Sequence, residues 1–136
     1  MSAEVCGHAL PAALVAELDR GTWTRRAAGP RVAAVFGEEP SRSAAFYSLD
    51  EIRGETGRWA RETDEAYLGR GEESLDPAAS VLIGDLGYDR PFALDYRVQP
   101  PAVRLLSLAG TWVRISDSIE SLIRELGDPP EEPAGG

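Results

Sequence analysis

Residues 81–126 read V-L-I-G-D-L-G-Y-D-R-P-F-A-L-D-Y-R-V-Q-P-P-A-V-R-L-L-S-L-A-G-T-W-V-R-I-S-D-S-I-E-S-L-I-R-E-L, and their pattern decides the fold. Val81 to Ile83, Phe92 to Tyr96, Val103 to Leu108 and Trp112 to Ile115 are short β-rich runs separated by Gly, Asp and Pro. Such runs between turn formers read as consecutive antiparallel strands. Gly110, after Ala109, supplies the positive φ that a tight hairpin turn demands. The period then changes. Ile119, Leu122, Ile123 and Leu126 recur at i, i+3, i+4 and i+7, which is one face of a helix. Ser116 or Asp117 is expected to cap it, Asp117 and Glu120 favour its first turn, and Gly127 ends it.

Toward the N-terminus the signals are helical. Pro11 suits a first helical turn, Leu10, Leu14, Val15 and Leu18 form one apolar stripe, and Gly21 follows as a stop. A shorter helix is expected from Pro30, packing Val32, Val35 and Phe36 and ending at Gly37. Ser48 and Glu51 form a capping-box pair ahead of a helix that lines up Leu49, Ile52 and Trp59. Gly54 and Gly57 inside it each cost about 1 kcal/mol against alanine, so tertiary packing must hold it together. Trp23 between threonines reads as one more short strand. The expected fold is α+β: one domain over residues 1–127, with an antiparallel or mixed sheet of about four to six short strands, helices packed on it and a C-terminal helix. Residues 128–136 contain three prolines and three acids and read as a disordered acidic tail.

The 136 residues are close to the commonest size of a single domain. All 14 basic residues are arginine, and 23 acids leave a net charge of -9, which argues against a basic nucleic-acid-binding surface. Residues 48–77 hold nine acids against four arginines, whereas the strand region 78–116 holds three against four. The acidity therefore sits in the middle segment and at the C-terminus. The apolar stretch from Val5 to Leu18 has no basic residue before it, carries His8, and is broken by Pro11. It reads neither as a signal peptide nor as a membrane span, so no membrane association and a cytoplasmic location are expected. A lone Cys6 excludes an internal disulfide and fits a reducing compartment.

Catalytic patterns are sparse. Cys6 and His8 stand two residues apart in a segment expected to fray, which cannot hold a base against a thiol. One Cys-x-His cluster is too few ligands for zinc, so no metal is expected. There is no phosphate loop and no lysine to serve one, so no cofactor is expected. Gly84 and Gly87 with Asp85 and Asp89 read as a tight turn, because no helix pattern begins there to bind an anion. Asp85, Asp89 and Asp95, or Glu72, Glu73 and Asp76, would serve acid–base chemistry only if burial pushed their pKa values apart. Residues 69–80 read as a solvated loop instead. Trp59 and Trp112 read as core, while Tyr88, between glycine and aspartate, does not.

At Ile83 to Tyr96 the chain resembles the SUKH superfamily, which joins yeast cell-wall assembly and killer-toxin-resistance proteins to many bacterial immunity proteins. The shared pattern is a strand, the Gly84-Asp85 turn, a strand ending in Leu94-Asp95-Tyr96, then Pro101 and a further strand from Val103. Leu10-Pro11, the stretch Phe46-Tyr47-Ser48-Leu49 and the segment from Trp112 to Leu126 extend the similarity over about residues 10–127. Only nine residues precede Leu10, where relatives often carry a helix, and Ile119 stands where they often carry an aromatic residue. The resemblance implies a non-enzymatic protein-binding domain, an immunity protein that neutralises a cognate basic toxin by direct binding. An intracellular scaffold or regulatory module is the alternative, and a small carboxylate enzyme a third. The residues expected to meet a partner are Glu72, Glu73, Asp76, Asp85, Tyr88 and Asp89. Oligomeric state is not legible in the sequence.

Overall fold

The computed structural model describes residues 3–29, 31–38, 40, 44–62, 68–70, 73–87 and 90–127, with the side chains of residues 62 and 70 excepted. The elements in chain order are β1 (Glu4–Val5), β2 (His8–Ala9), α1 (Ala12–Arg20), α2 (Thr22–Arg25), α3 (Val32–Phe36), β3 (Ala45–Phe46) and α4 (Leu49–Glu62). They continue with β4 (Gly69–Arg70), β5 (Glu73–Ser74), β6 (Ser80–Asp85), β7 (Pro91–Asp95), β8 (Ala102–Leu106), β9 (Trp112–Ser116) and α5 (Ile119–Leu126). The described residues thus form the expected α+β fold. The principal sheet has five strands in the order β3-β6-β7-β8-β9, and every neighbouring pair is antiparallel. The hairpins β1-β2 and β4-β5 stand outside it.

Alternation along the strands separates two faces. Phe92 lies in a close aromatic cluster with Phe36 and Phe46, and Phe46 also meets Trp23, with ring centroids 4.7–6.4 Å apart. Each such pair is worth about 0.5–1.5 kcal/mol beyond its buried area. Leu14, Ile119 and Leu122 are buried in the same core, and α5 packs on α1, α3, β8 and β9. Register places Ser80, Asp95, Arg104 and Trp112 on the opposite face. There Trp59 of α4 donates its indole N–H to Ser80 Oγ at 3.0 Å and sets its ring edge-on to Trp112.

Gly84 shows why the β6 pattern needs its glycine. A Cβ there would run into the Phe92 ring and the Ala45 carbonyl, so the aromatic cluster closes only over a bare backbone. Helix α4 takes over the edge of β6 where β3 stops. Tyr47 N–H donates to Ile83 O, and the buried Thr56 hydroxyl accepts the Leu82 N–H at 3.0 Å. A buried strand N–H is thereby satisfied by a helix side chain. The capping box forms as expected, with Ser48 N–H to Glu51 Oε1 at 2.9 Å and Glu51 N–H to Ser48 Oγ at 3.3 Å. The helix runs without a break through Gly54 and Gly57.

Several expectations are corrected. Trp23 is not in a strand; it lies fully buried in α2, its indole N–H donating to Ile83 O at 3.3 Å. The cap of α5 is Ser118, whose Oγ accepts the Ser121 N–H, rather than Ser116 or Asp117; Asp117 is exposed and pairs with Arg114. The N-terminal segment does not fray. Cys6 and Gly7, with φ of 50° and 84°, turn it into a hairpin, and Val5 is buried in the core. Residues 69–80 are not a plain solvated loop either. They carry the β4-β5 hairpin, bury Leu75, and enter a 3-10 turn at Pro77–Ala79 whose first N–H groups are capped by Asp76. The tail 128–136 lies outside the described residues.

Candidate interaction surface

Among the described residues, the two most deeply buried carboxylates belong to architecture. Asp95, 1 % exposed, accepts from the backbone N–H and guanidinium of Arg97 and from Arg104 Nε at 2.9 Å. Arg97 also donates to Ser74 Oγ and to Ser74 O, and Arg104 donates to Trp112 O, so one carboxylate ties β5, β7, β8 and β9. Burial pushes its carboxyl up, but the hydrogen bonds and positive charge of Arg97, with Arg104, outweigh this and hold it below its ordinary value. Glu17 is alike. Burial raises it, yet Arg26 and Arg20 together hold it down, and Arg26 also donates to Gly127 O beyond α5. Each Asp95 oxygen accepts two N–H donors, which leaves it no lone pair poised for a substrate proton.

A second group of acids faces outward. Asp85, at the end of β6, accepts the Tyr47 hydroxyl at 2.7 Å and the Gly87 N–H at 3.0 Å. Burial, that hydrogen bond, and the negative charges of Asp85, Glu55 and Glu51 all push the Tyr47 phenol far above its usual range. Glu51 and Glu55 are four residues apart and so share one side of α4. The start of α4 and the end of β6 therefore build one acidic corner around Tyr47. Sequence reasoning missed Glu51 as part of it and read it only as a cap; the i, i+4 spacing with Glu55 was visible, but not the strand end it would meet.

The expected partner-binding residues do not gather in one place. Glu73 is exposed on β5, and Asp76 is exposed just before β6. Asp85 is at the far end of that strand, five residue steps or roughly 17 Å from Ser80 at its start. Glu73 and Asp76 on one side and the Gly84 turn on the other thus lie at opposite ends of β6, which corrects the expectation that the 69–77 stretch adjoins the turn. Asp95 likewise stands with Ser80, not with Asp85. Glu72, Tyr88 and Asp89 lie outside the described residues.

The N-terminal hairpin closes over the Asp76 end. His8 Nε2 makes a 2.8 Å hydrogen bond with Ala78 O and stacks on Tyr96 at 4.6 Å, and the Tyr96 hydroxyl donates to Ala9 O at 2.7 Å. Burial pushes that phenol up to about 12. Cys6 points to solvent as a free thiol, away from any such network. Among the described residues no group of three or more His, Cys, Asp or Glu is arranged to hold a metal ion, and no helix is long and apolar enough to cross a membrane. No family model matches this chain, and no curated protein or solved structure shows significant similarity to it.

Proposed function

We propose that this chain is a non-enzymatic protein-binding domain of SUKH type, a cytoplasmic immunity protein that neutralises a basic toxin domain by occluding it. The observation that carries the reading is the partition of its carboxylates. Glu17 and Asp95 are consumed by arginines of the fold, whereas Asp85, the exposed Glu51 and the Arg58-paired Glu55 lie around Tyr47. Crowded carboxylates repel one another, and a partner's lysines or arginines relieve that repulsion on binding. The chain's net charge of -9 adds long-range attraction for the same partner. Glu73 and Asp76, at the other end of β6, extend the field as a rim.

The test starts from the full chain isolated from the organism that encodes it, with co-purifying protein identified by mass spectrometry. Expressed alone, that protein arrests growth, and co-expression of the chain restores it. Its association rate with the purified chain falls as salt rises, and Glu73→Arg lowers the rate most at low salt, because rim charges act on encounter. A salt-independent rate overturns the electrostatic reading. A partner without toxicity moves the function to the scaffold or regulatory alternative.

A further inference from the structure

Leu108, at the tip of the β8-β9 hairpin, is the one large apolar side chain among the described residues that stands in solvent, 75 % exposed. A single exposed leucine is ordinary on a protein surface. What sets this one apart is how its backbone is held. Ser107 N–H donates to Thr111 O at 2.8 Å, Gly110 N–H to Ser107 O at 3.0 Å, and the Ser107 and Thr111 hydroxyls meet at 3.1 Å. The N–H of Leu108 itself donates to Glu38 Oε2 at 3.2 Å. The other oxygen of Glu38 accepts from the buried Arg90 at 2.9 Å, and Arg90 also donates to Leu86 O. A carboxylate anchored on a buried guanidinium thus braces the residue whose side chain faces water.

That brace reaches across the molecule. Glu38 follows α3, Arg90 and Leu86 belong to the β6-β7 hairpin, and Leu108 belongs to the next hairpin. Asp85 is adjacent in sequence to Leu86 and bonded to Tyr47, so the apolar tip and the acidic corner are joined through one chain of polar contacts at the same end of the sheet. An apolar side chain on a pre-ordered backbone loses little further entropy when a pocket receives it.

We propose that Leu108 is the docking anchor of the protein-binding surface, entering an apolar pocket on a basic protein whose lysine or arginine rim faces Asp85, Glu51 and Glu55. This rests on the protein-binding reading above and names the contact that would dominate it. The partner is a basic protein rather than an anionic bilayer, because Glu38 at the tip, Asp85 at the same end of the sheet and the net charge of -9 repel anionic lipid.

The experiment introduces the photo-crosslinking residue p-benzoylphenylalanine at position 108, and separately at 73 and 124, in the full chain within the organism that encodes it. The adduct is identified, and the captured protein is purified and titrated with the parent chain, Leu108→Ala and Leu108→Asp. The expected result is an adduct from position 108 with a protein of basic isoelectric point, and a Kd raised about thirtyfold or more by both substitutions, the loss typical of a dominant interface residue. Melting temperatures stay at the parental value, since the side chain is already in water. A Leu108→Ala Kd within twofold of the parent overturns the anchor, as does an acidic captured protein. Adducts confined to 73 or 124 leave protein binding standing and sink the anchor alone. No adduct at any of the three positions, together with no co-purifying protein, sinks both.

Discussion

Among single side chains, Asp95 carries the clearest consequence. It is buried and holds Arg97 and Arg104, so removing its charge leaves two guanidinium groups competing for neutral acceptors. Asp95→Asn is expected to destabilise the fold by about 3–5 kcal/mol at neutral pH, read as a shift in urea midpoint. The folded carboxyl lies below its ordinary value of 3.8, so its contribution is complete above that value and is lost as pH falls through the depressed folded value. The difference between parent and Asp95→Asn therefore shrinks as urea melts are moved from pH 7 toward pH 3. A constant difference would show that the network does not depend on the carboxylate charge. Sequence placed Asp95 at the end of a strand and left its partners open, because Arg97 and Arg104 are near in sequence while their convergence depends on strand pairing.

Among the elements, α5 was almost wholly legible and its energetics divide unequally along the stripe. Leu122 is completely buried and Ile123 only partly. Leu122→Ala is expected to cost about 2–5 kcal/mol, and Ile123→Ala distinctly less, in urea unfolding. Equal losses would place the helix in another rotation on the sheet. The capping box of α4 and the glycine stops of α1 and α3 were also readable, since each depends on backbone groups within a few residues. The hairpin β1-β2 was not. Its turn uses Cys6 in the left-handed region, a conformation for which cysteine gives no local signal. The helical place of Trp23 escapes local pattern for a related reason. Its β-propensity is weak evidence, and the Ile83 carbonyl that receives its indole N–H is sixty residues away.

For the molecule as a whole, the N-terminal hairpin acts as a strap across the sheet end. His8→Ala removes the stacking on Tyr96 and the bond with Ala78 O, and is expected to cost about 0.5–1.5 kcal/mol. Cys6→Ala, at an exposed position with no partner beyond its own turn, should stay within about 0.5 kcal/mol. Thermal melts of the two single variants separate them, and equal effects would mean that the strap holds through its backbone alone. The sequence by itself determined the α+β class, the four long strands, the main helices and the acidic balance of the chain. Those features follow from hydrophobic period, turn chemistry and charge count, which act over a few residues or need no geometry. Only the tertiary structure decided that Glu73 and Asp76 stand apart from Asp85, that Glu51 and Glu55 join it around Tyr47, and that Glu38 and Arg90 brace Leu108. Each of those juxtapositions is made by packing elements distant in sequence, and local pattern carries no information about which strand end a helix will meet.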